Sequence, residues 1–392
     1  MMETEILPTD WRISSLETLT KVISSGKSKR NKKHGTYPVY GSTGIIGFTE
    51  FPEYEGEAIL VARVGANAGR INVVSGKYGV TDNTLLIRLS DNCSLSFIWR
   101  LLEAKRLNNL VFGSGQPLIT GSQLKSLELK IPEIIEQDLI ATVLNDVDEL
   151  LEGLHKLTAK KYDLKLAVMH QLLTGKKRLL GFSEEWKKNT LGKIGYTYGG
   201  LSGKTKSDFG VGNSKYVTFM NLMTNIIIDC NTFDKVKVSS AENQNKVLCG
   251  DLLFNGSSET PQELALCSIL TEDVSDLFLN SFCFGFRLFD KSKIDGLFLS
   301  YYMRGYPGRE LIKLLAQGST RYNISKKAFL KTSVLLPHKN EQVAIAKILL
   351  DIDKELIKVK SLVDKTKNIK KALIQELLTG KTRLIKLGKI DA

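Results

Sequence analysis

The sequence predicts a mixed α/β fold in which two α/β domains are separated by two long antiparallel coiled-coil helices in a pseudo-two-fold arrangement. Three observations predict it. Residues 119–179 repeat as residues 324–384, and a heptad-spaced apolar seam runs through each copy. The stretch that precedes each copy consists of short strand-like runs. A duplicated framework around two dissimilar inserts is typical of a pseudo-symmetric molecule with two different binding surfaces.

The repeat is clearest where Leu172–Lys176 recurs as Leu377–Lys381. A constant offset aligns 119–179 with 324–384 without a gap, and 21 of these 61 pairs are identical. Upstream, Trp11 matches Trp186 at a shorter offset. The two halves therefore share their ends, and the second insert is the longer of the two.

Each repeat predicts one long helix, because its apolar residues follow a spacing of four and three. Pro132 and Pro337 precede the predicted helix starts, and Gly175 and Gly380 can adopt the left-handed conformation that ends a helix. About 40 residues give a length of about 60 Å, and an apolar seam of that length needs a partner. The residues predicted to pair the helices are Leu144, Val147, Leu151 and Leu154 in the first helix and Leu349, Ile352, Leu356 and Val359 in the second. Three polar residues (Thr158, Lys161 and Lys165) interrupt the first seam, so its pairing there stays open.

The inserts, Trp11 to Ile131 and Trp186 to Leu336, are predicted to form α/β domains with substantial sheet. Strand-like runs alternate with Gly, Asn and Ser turns, as in Ala58–Val64 and Phe282–Leu288. Each insert also predicts one short helix, at Leu95–Leu107 and at Leu297–Leu315.

The charge of the chain favours an anionic partner. Lys and Arg number 55 against 42 Asp and Glu in 392 residues, a formal net charge of +13, so nucleic acid is the first candidate. Five cysteines without a Cys-x-x-Cys pair favour reduced thiols. No signal peptide and no membrane-spanning apolar stretch are apparent, so we expect a cytoplasmic protein that makes no contact with a membrane.

Catalytic and metal-binding motifs are missing from the sequence. The four histidines are not spaced for a metal site, and neither an Asn-Pro-Pro-Tyr nor a dinucleotide-binding glycine motif occurs. Gly199–Thr205 resembles a phosphate-binding loop, but Tyr198 stands where that motif requires its first glycine. We therefore expect no catalytic residue and no metal site, and interpret this stretch as an exposed turn whose Lys204 and Lys206 reach a phosphate backbone.

Several polar segments are suited to DNA contact. Glycines let backbone N–H groups approach phosphates, hydroxyls donate further hydrogen bonds, and Arg or Gln can bind base edges. Hairpin turns use the same residue types, so structural turns remain the alternative. The candidates in the first insert are Lys29, Arg30, Lys32, Tyr40, Ser42, Thr43, Arg63, Asn67, Arg70, Ser114 and Gln116. Those in the second are Lys204, Lys206, Asn255, Ser257, Ser258, Glu259, Thr260, Gln317, Ser319, Thr320 and Arg321.

The chain resembles the specificity (S) subunits of type I restriction–modification enzymes. The resemblance is carried by the pattern Pro-x-x-x-Glu-Gln-x-x-Ile-Ala-x-x-Leu-x-Asp, which occurs at 132–146 and again at 337–351, and by the paired Leu-Leu-Thr-Gly-Lys-x-Arg-Leu ends. Tyr37–Gly44 and Ser257–Pro261 also resemble stretches of that family's target-recognition domains. The similarity extends over nearly the whole chain.

This resemblance implies a domain order. The first target-recognition domain would occupy residues 1–132 and a central conserved helix 133–180. The second target-recognition domain would occupy 181–337, a C-terminal conserved helix 338–384, and a tail 385–392.

The resemblance also implies a function. Each domain would read one half of a gapped, asymmetric site in double-stranded DNA, while the helices set the spacing and dock two methyltransferase subunits. Two restriction subunits would complete the enzyme. Adenosylmethionine, ATP and Mg²⁺ would act on those partners, with no cofactor on this chain. The alternatives are a self-contained DNA methyltransferase or nuclease, and a non-specific basic coiled-coil scaffold.

Overall fold

The computed structural model describes residues 8–29, 35–112 and 117–385, and it divides into two compact units. Unit 1 contains Met1–His155 and Ser361–Ala392, and unit 2 contains Lys156–Lys360. Each unit therefore holds one insert and part of each long helix. The predicted mixed α/β class is confirmed, whereas the linear domain boundaries stay a prediction.

Unit 1 contains the first insert and the start of the first long helix. Its strands are β1 (Arg12–Ser15), β2 (Thr20–Ser25), β3 (Tyr37–Gly41), β4 (Gly44–Thr49), β5 (Tyr54–Glu55), β6 (Ala58–Ala62), β7 (Ile71–Val74), β8 (Lys77–Val80), β9 (Thr84–Leu89) and β10 (Glu128–Ile131). Its helices are α1 (Leu95–Ala104), α2 (Gly121–Lys125) and the first part of α3 (Ile134–Leu173).

Two sheets form the body of unit 1. One is antiparallel with the strand order β2-β9-β6-β7, and the other is mixed with the order β4-β3-β8-β5. Strand β6 is buried at every residue, which explains its unbroken apolar sequence. Helix α1 packs on the sheet that contains β6 and β7, through a buried face that includes Phe97, Ile98 and Leu102.

Unit 2 contains the second insert. Its strands are β11 (Lys187–Thr190), β12 (Gly195–Gly199), β13 (Phe209–Val217), β14 (Asp234–Val236), β15 (Leu252–Asn255), β16 (Ser257–Ser258), β17 (Cys267–Ile269), β18 (Leu277–Leu279), β19 (Cys283–Leu288), β20 (Tyr322–Asn323) and β21 (Ser333–Leu336). Its helices are α4 (Leu191–Ile194), α5 (Phe219–Thr224), α6 (Gly296–Arg304), α7 (Tyr306–Lys313), α8 (Lys326–Lys331) and the first part of α9 (Lys339–Leu377).

The main sheet of unit 2 is antiparallel with the order β12-β19-β15-β17, and a second sheet has the order β14-β13-β18. Four aromatic rings (Phe254, Phe284, Phe286 and Phe329) form the centre of its core, with ring centroids 5.1–5.9 Å apart in the contacting pairs. The single predicted helix over Leu297–Leu315 was wrong. Gly305 ends α6, and Pro307 lies in the first turn of α7, where a missing N–H costs nothing.

The duplicated sequence forms the same frame in each unit. Strand β1 pairs antiparallel with β10 in unit 1, and β11 pairs antiparallel with β21 in unit 2. The first strands correspond at the shorter offset of the repeat and the second strands at the longer one. In each unit the strand at the start of the insert therefore pairs with the strand at its end, and the rest of the insert lies between these two strands in sequence.

The ends of the long helices are tied into each unit by a buried glutamate. In unit 1 the carboxylate of Glu136, at the start of α3, accepts hydrogen bonds from Arg383 at 2.7 and 2.8 Å and from the indole of Trp11 at 3.2 Å. Arg383 also binds Asp10 and holds the pKa of that carboxyl below its usual value. The stabilisation from Asp10 is therefore present above about pH 4 and is lost as the pH falls through the lowered pKa.

Unit 2 repeats the glutamate–arginine pair with the corresponding residues. Glu341, at the start of α9, accepts two hydrogen bonds of 2.7 Å from Arg178, which lies just beyond the end of α3. Gly175 and Gly380 end the two helices with φ of 69° and 75°, as predicted for left-handed caps. Trp186 packs on Gly175, and Trp11 packs on Gly380.

Ion pairs link the two long helices within each unit. In unit 1, Lys370 of α9 bonds to Asp148 of α3 at 2.5 Å, next to the fully buried Leu144. In unit 2, Lys161 and Lys165 of α3 bond to Glu355 and Asp353 of α9 at 2.6 and 2.5 Å. These ion pairs account for Lys161 and Lys165, two of the three polar interruptions of the first seam that the sequence left open.

The predicted seam residues differ in their burial. Leu144, Leu151, Leu349, Leu356 and Val359 are buried. Val147, Leu154 and Ile352 are half-buried. Each fully buried aliphatic side chain stabilises the fold by about 1.5–3 kcal/mol.

We expect the substitution Arg383→Ala to destabilise unit 1 strongly. The carboxylate of Glu136 is 1% exposed, so losing its cation leaves a buried charge at a cost of about 3 kcal/mol. The urea midpoint of unfolding should fall by about 1 M. Lys381→Ala, at an exposed neighbouring position, is the control. An equal midpoint for both variants would show that the buried pair contributes nothing.

Candidate nucleic-acid interface

In unit 1 the predicted segment Arg63–Arg70 forms the connection between β6 and β7. Its first part is a tight turn at Gly65–Asn67, which ends where Gly69 takes a φ of 90°. The Gly65 N–H donates to the Pro117 carbonyl at 2.9 Å, and the Gly69 N–H donates to the Ala62 carbonyl at 2.9 Å. The turn is therefore held from both sides, and the end of the predicted Gly113–Pro117 loop lies beside it.

Lys29, Ser42 and Thr43 line one cleft of unit 1 together with Asp82 and Asn83. The Arg70 guanidinium donates to the Thr43 carbonyl at 3.3 Å, and the Arg63 N–H donates to the Asn83 carbonyl at 2.9 Å. Three separate predicted segments are thus brought to one surface. The turn residues Asp82 and Asn83 were missed by the sequence analysis, although a Thr-Asp-Asn-Thr turn between two strands is a usable signal.

Some candidates of unit 1 have structural roles. The Tyr40 ring packs edge-on against the buried Tyr78, with centroids 6.2 Å apart, so it is part of the core beneath the cleft. Arg63 donates one hydrogen bond to Ser25 at 3.3 Å, and the described residues give its Nε no partner. Asn67 is half-buried in the turn. Four further candidates lie outside the described residues: Arg30, Lys32, Ser114 and Gln116.

In unit 2 a short strand pair brings two predicted segments together. Strand β16 (Ser257–Ser258) pairs antiparallel with β20 (Tyr322–Asn323), and Gln317 forms a further bridge with Asn323. Ser257, Ser258, Glu259, Thr320 and Arg321 consequently line one cleft, together with Phe219, Met223 and Glu263. The Arg321 guanidinium lies 5.5 Å from the centroid of the exposed Phe282 ring.

Arg309 supports the cleft of unit 2 from inside. Its guanidinium donates to the carbonyls of Pro261, Leu264 and Ala265 at 3.2, 2.6 and 3.4 Å, so it fixes the loop that follows Glu259. Burial lowers the pKa of Arg309 to about 10, which keeps it charged at neutral pH. The sequence gives no signal for this role, because the contacts are all to backbone atoms.

The Ser257 hydroxyl is a polar group buried in the same cleft. Ser257 is 7% exposed, and its Oγ has no hydrogen-bond partner among the described residues. A buried hydroxyl without a hydrogen-bond partner destabilises the fold, unless a ligand or a water molecule forms a hydrogen bond with it. The cleft therefore offers a hydroxyl, a carboxylate and a guanidinium to a polar ligand.

Two candidates of unit 2 need correction. Asn255 is fully buried, and its amide binds the backbone of Ser257, Glu263 and Leu266, so it shapes the loop and presents nothing to a ligand. Lys204 is also occupied, because its ammonium bonds to Glu242 at 2.5 Å and to the Lys237 carbonyl at 2.6 Å.

The remaining candidates of unit 2 lie at or near exposed turns. Lys206 is exposed, as are Gln317 and Ser319, which flank Gly318 at a φ of 121°. Thr260 is exposed too, but its hydroxyl donates to Glu263 at 3.3 Å. These positions can reach a ligand, although they do not line the cleft with Arg321.

Neither a metal centre nor a membrane span is found in the described part of the chain. Within residues 8–29, 35–112 and 117–385, no three His, Cys, Asp or Glu side chains are grouped to hold a metal ion. Over the same residues no helix combines the length and the apolar character that crossing a bilayer requires. The five cysteines are free.

Comparison with known proteins identifies the family. A family model described as the type I restriction modification DNA specificity domain matches residues 8–161 and 183–364. The chain is 26% identical to a Methanocaldococcus jannaschii protein named putative type I restriction enzyme MjaX specificity subunit, over 97% of this chain and 96% of that one. It is also 26% identical to the EcoprrI specificity subunit of Escherichia coli, but over only 34% of this chain and 33% of that one.

A solved structure agrees with this match. The S subunit of a type I restriction–modification system from M. genitalium has the same fold, with a TM-score of 0.61 and 17% identity over 96% of this chain and 98% of that one. The family model covers most of the sequence. The chain therefore belongs to the family of type I restriction–modification DNA specificity domains, whose members supply sequence recognition rather than catalysis.

Proposed function

We propose that this chain reads a gapped, asymmetric site in double-stranded DNA, with one half-site bound by each unit. As a member of its family the chain works with DNA and with other restriction–modification subunits. We infer two methyltransferase and two restriction subunits as partners in the cytoplasm. Adenosylmethionine, ATP and Mg²⁺ would act on those subunits.

The observation that carries this proposal is the difference between the two clefts. The cleft of unit 1 offers Lys29, Ser42 and Thr43, with Arg70 bound to its rim. The cleft of unit 2 offers Glu259, Thr320 and Arg321. Because the side chains differ while the surrounding frame is duplicated, two unlike half-sites are expected.

The chemistry of each cleft favours a different kind of contact. Lysine ammonium groups and threonine or serine hydroxyls bind phosphates well and have little base preference. An arginine can bind the O6 and N7 atoms of guanine, and a carboxylate can accept from the N4 amine of cytosine. We therefore propose that unit 2 reads a G·C pair through Arg321 and Glu259.

The long helices α3 and α9 are proposed to act as an antiparallel coiled-coil spacer between the two reading domains, in a pseudo-two-fold arrangement. The ion pairs Asp148–Lys370 and Lys165–Asp353 support this proposal, because corresponding residues make them in the two units. A spacer with matched contacts in both units would hold the half-sites at one separation.

Site selection from random duplexes tests the function directly. We expect the full chain, produced with its methyltransferase subunits, to select two unlike half-sites separated by a fixed gap. The chain by itself should transfer no methyl group to DNA. A contiguous or palindromic selected site would contradict the proposal, as would methyl transfer by the isolated chain.

We expect Arg321→Ala to relax selection at one base pair of the half-site of unit 2. Loss of a bidentate contact to guanine costs about 1–3 kcal/mol, which is roughly a 5- to 150-fold loss of discrimination. Arg321→Lys keeps the charge without the planar fork and should relax the same position. Lys331→Ala, exposed elsewhere in unit 2, is the control. Unchanged selection by both Arg321 variants would rule out base reading by this side chain.

We expect an insertion of one helical turn after Leu157 to lengthen the preferred gap without altering either half-site. Four helical residues add about 6 Å, which corresponds to at most about two base pairs of DNA. Selection with the insertion variant measures the gap. An unchanged gap, in a variant that still selects both half-sites, would mean that the helices do not set the spacing.

A further inference from the structure

A groove of unit 1 carries a concentration of positive charge outside the proposed reading cleft. It lies between the end of α1 and the C-terminal part of α9, and its floor is formed by mostly buried leucines. Lys105, Arg106, Lys367, Lys370 and Lys371 line it, and Glu103 is the one carboxylate among its described lining residues. The groove is therefore strongly cationic.

Most of these cations have no counterion in the part of the chain that the structure describes. Lys370 bonds to Asp148 at 2.5 Å and serves the helix pairing described above. Lys105, Arg106, Lys367 and Lys371 are exposed, and no carboxylate of the described residues lies within 4 Å of their charged nitrogens. Unpaired like charges at close range repel one another, and an anionic ligand relieves that repulsion.

The duplicated sequence indicates that the fold does not require this charge. In the ungapped alignment of the two repeats, Lys370 corresponds to Lys165, and both lysines form the ion pair that links the helices. Lys367 and Lys371 correspond instead to Tyr162 and Leu166. The structural lysine is thus present in both units, whereas the other two lysines occur in unit 1 alone.

The groove is continuous with the candidate DNA surface of unit 1. Glu103 and Arg106 also line a neighbouring cleft that contains Asn67 and Arg70 of the predicted reading segment. Gly69 lies so close to Asn108 that an added Cβ would be 2.5 Å from its backbone nitrogen. Arg106 has a left-handed φ of 51°, which is uncommon for a residue other than glycine. Cations therefore extend from Arg70 through Arg106 to Lys371.

We propose that this groove binds the DNA sugar-phosphate backbone next to the half-site read by unit 1, so that α9 itself contacts the duplex. The proposal rests on the proposed function and names a second, sequence-independent part of the same interface. Phosphate binding by lysines releases counterions and carries no base preference. An acidic segment of a partner protein is the competing occupant, and the experiment distinguishes the two.

The test uses the full chain with the double substitution Lys367→Gln and Lys371→Gln. Affinity for a duplex with the selected site and for a scrambled duplex is measured from about 50 to 200 mM salt. The slope of log affinity against log salt should become shallower by about 0.9 for each lost phosphate contact, or about 1.8 in total. Both duplexes should lose affinity by the same factor, and the selected sequence should not change.

Two controls keep the result specific. Lys347→Gln with Lys358→Gln removes the same charge from exposed positions of α9 outside the groove. This pair should change the slope less than Lys367→Gln with Lys371→Gln does. Arg106→Asn removes a groove cation and places there a residue that tolerates left-handed backbone. It should make the slope shallower by about 0.9. Circular dichroism establishes that each variant is folded.

The outcomes separate this inference from the proposed function. If the unsubstituted chain selects its site and the groove variants keep its slope, the groove does not bind phosphate and the inference is overturned. If those variants keep DNA affinity but lose the methyltransferase subunits, the groove binds an acidic protein segment, which also overturns it. If the unsubstituted chain selects no site at all, the proposed function fails first.

Discussion

The buried carboxylates of Glu136 and Glu341 constrain the rest of this molecule. A buried charge is tolerated only with a partner, and each glutamate receives a bidentate arginine that follows the end of the other long helix. For Glu136 to receive Arg383, the chain must therefore return to unit 1 after it has passed through unit 2. This requirement explains why unit 1 contains both Met1–His155 and Ser361–Ala392.

The glutamine beside each glutamate adds a second link. Gln137 donates to the Pro132 carbonyl and accepts from the Ser94 N–H at the start of α1. Gln342 donates to the Pro337 carbonyl and accepts from the Asp295 N–H at the start of α6. The repeated Glu-Gln pair thus joins a long helix to its own insert and to the other long helix. The duplicated residues serve this frame, which leaves the insert loops free to differ.

The two inserts use similar sheets for different surfaces. Unit 1 gathers cations and hydroxyls around tight glycine turns, and its positive groove extends the same character toward α9. Unit 2 gathers a carboxylate, an arginine and a buried hydroxyl that has no partner among the described residues, above the half-buried Arg309. Backbone contacts by Arg309 hold that surface in place, so its geometry depends on residues far from it in sequence.

Periodicity and internal repetition by themselves determined the two long helices, their glycine ends, the mixed α/β class and the family resemblance, because these properties depend on local spacing. The polar break at Lys161 and Lys165 could not be interpreted from the first helix alone, since its carboxylate partners lie on the other long helix. The site was predicted less well. Turn composition gave Ser42, Arg70 and Arg321, which line clefts, the same weight as Asn255 and Lys204, which bind the protein's own backbone and carboxylates. Only the tertiary structure decided which polar side chains face outward, because that depends on whether a distant segment already satisfies their hydrogen bonds.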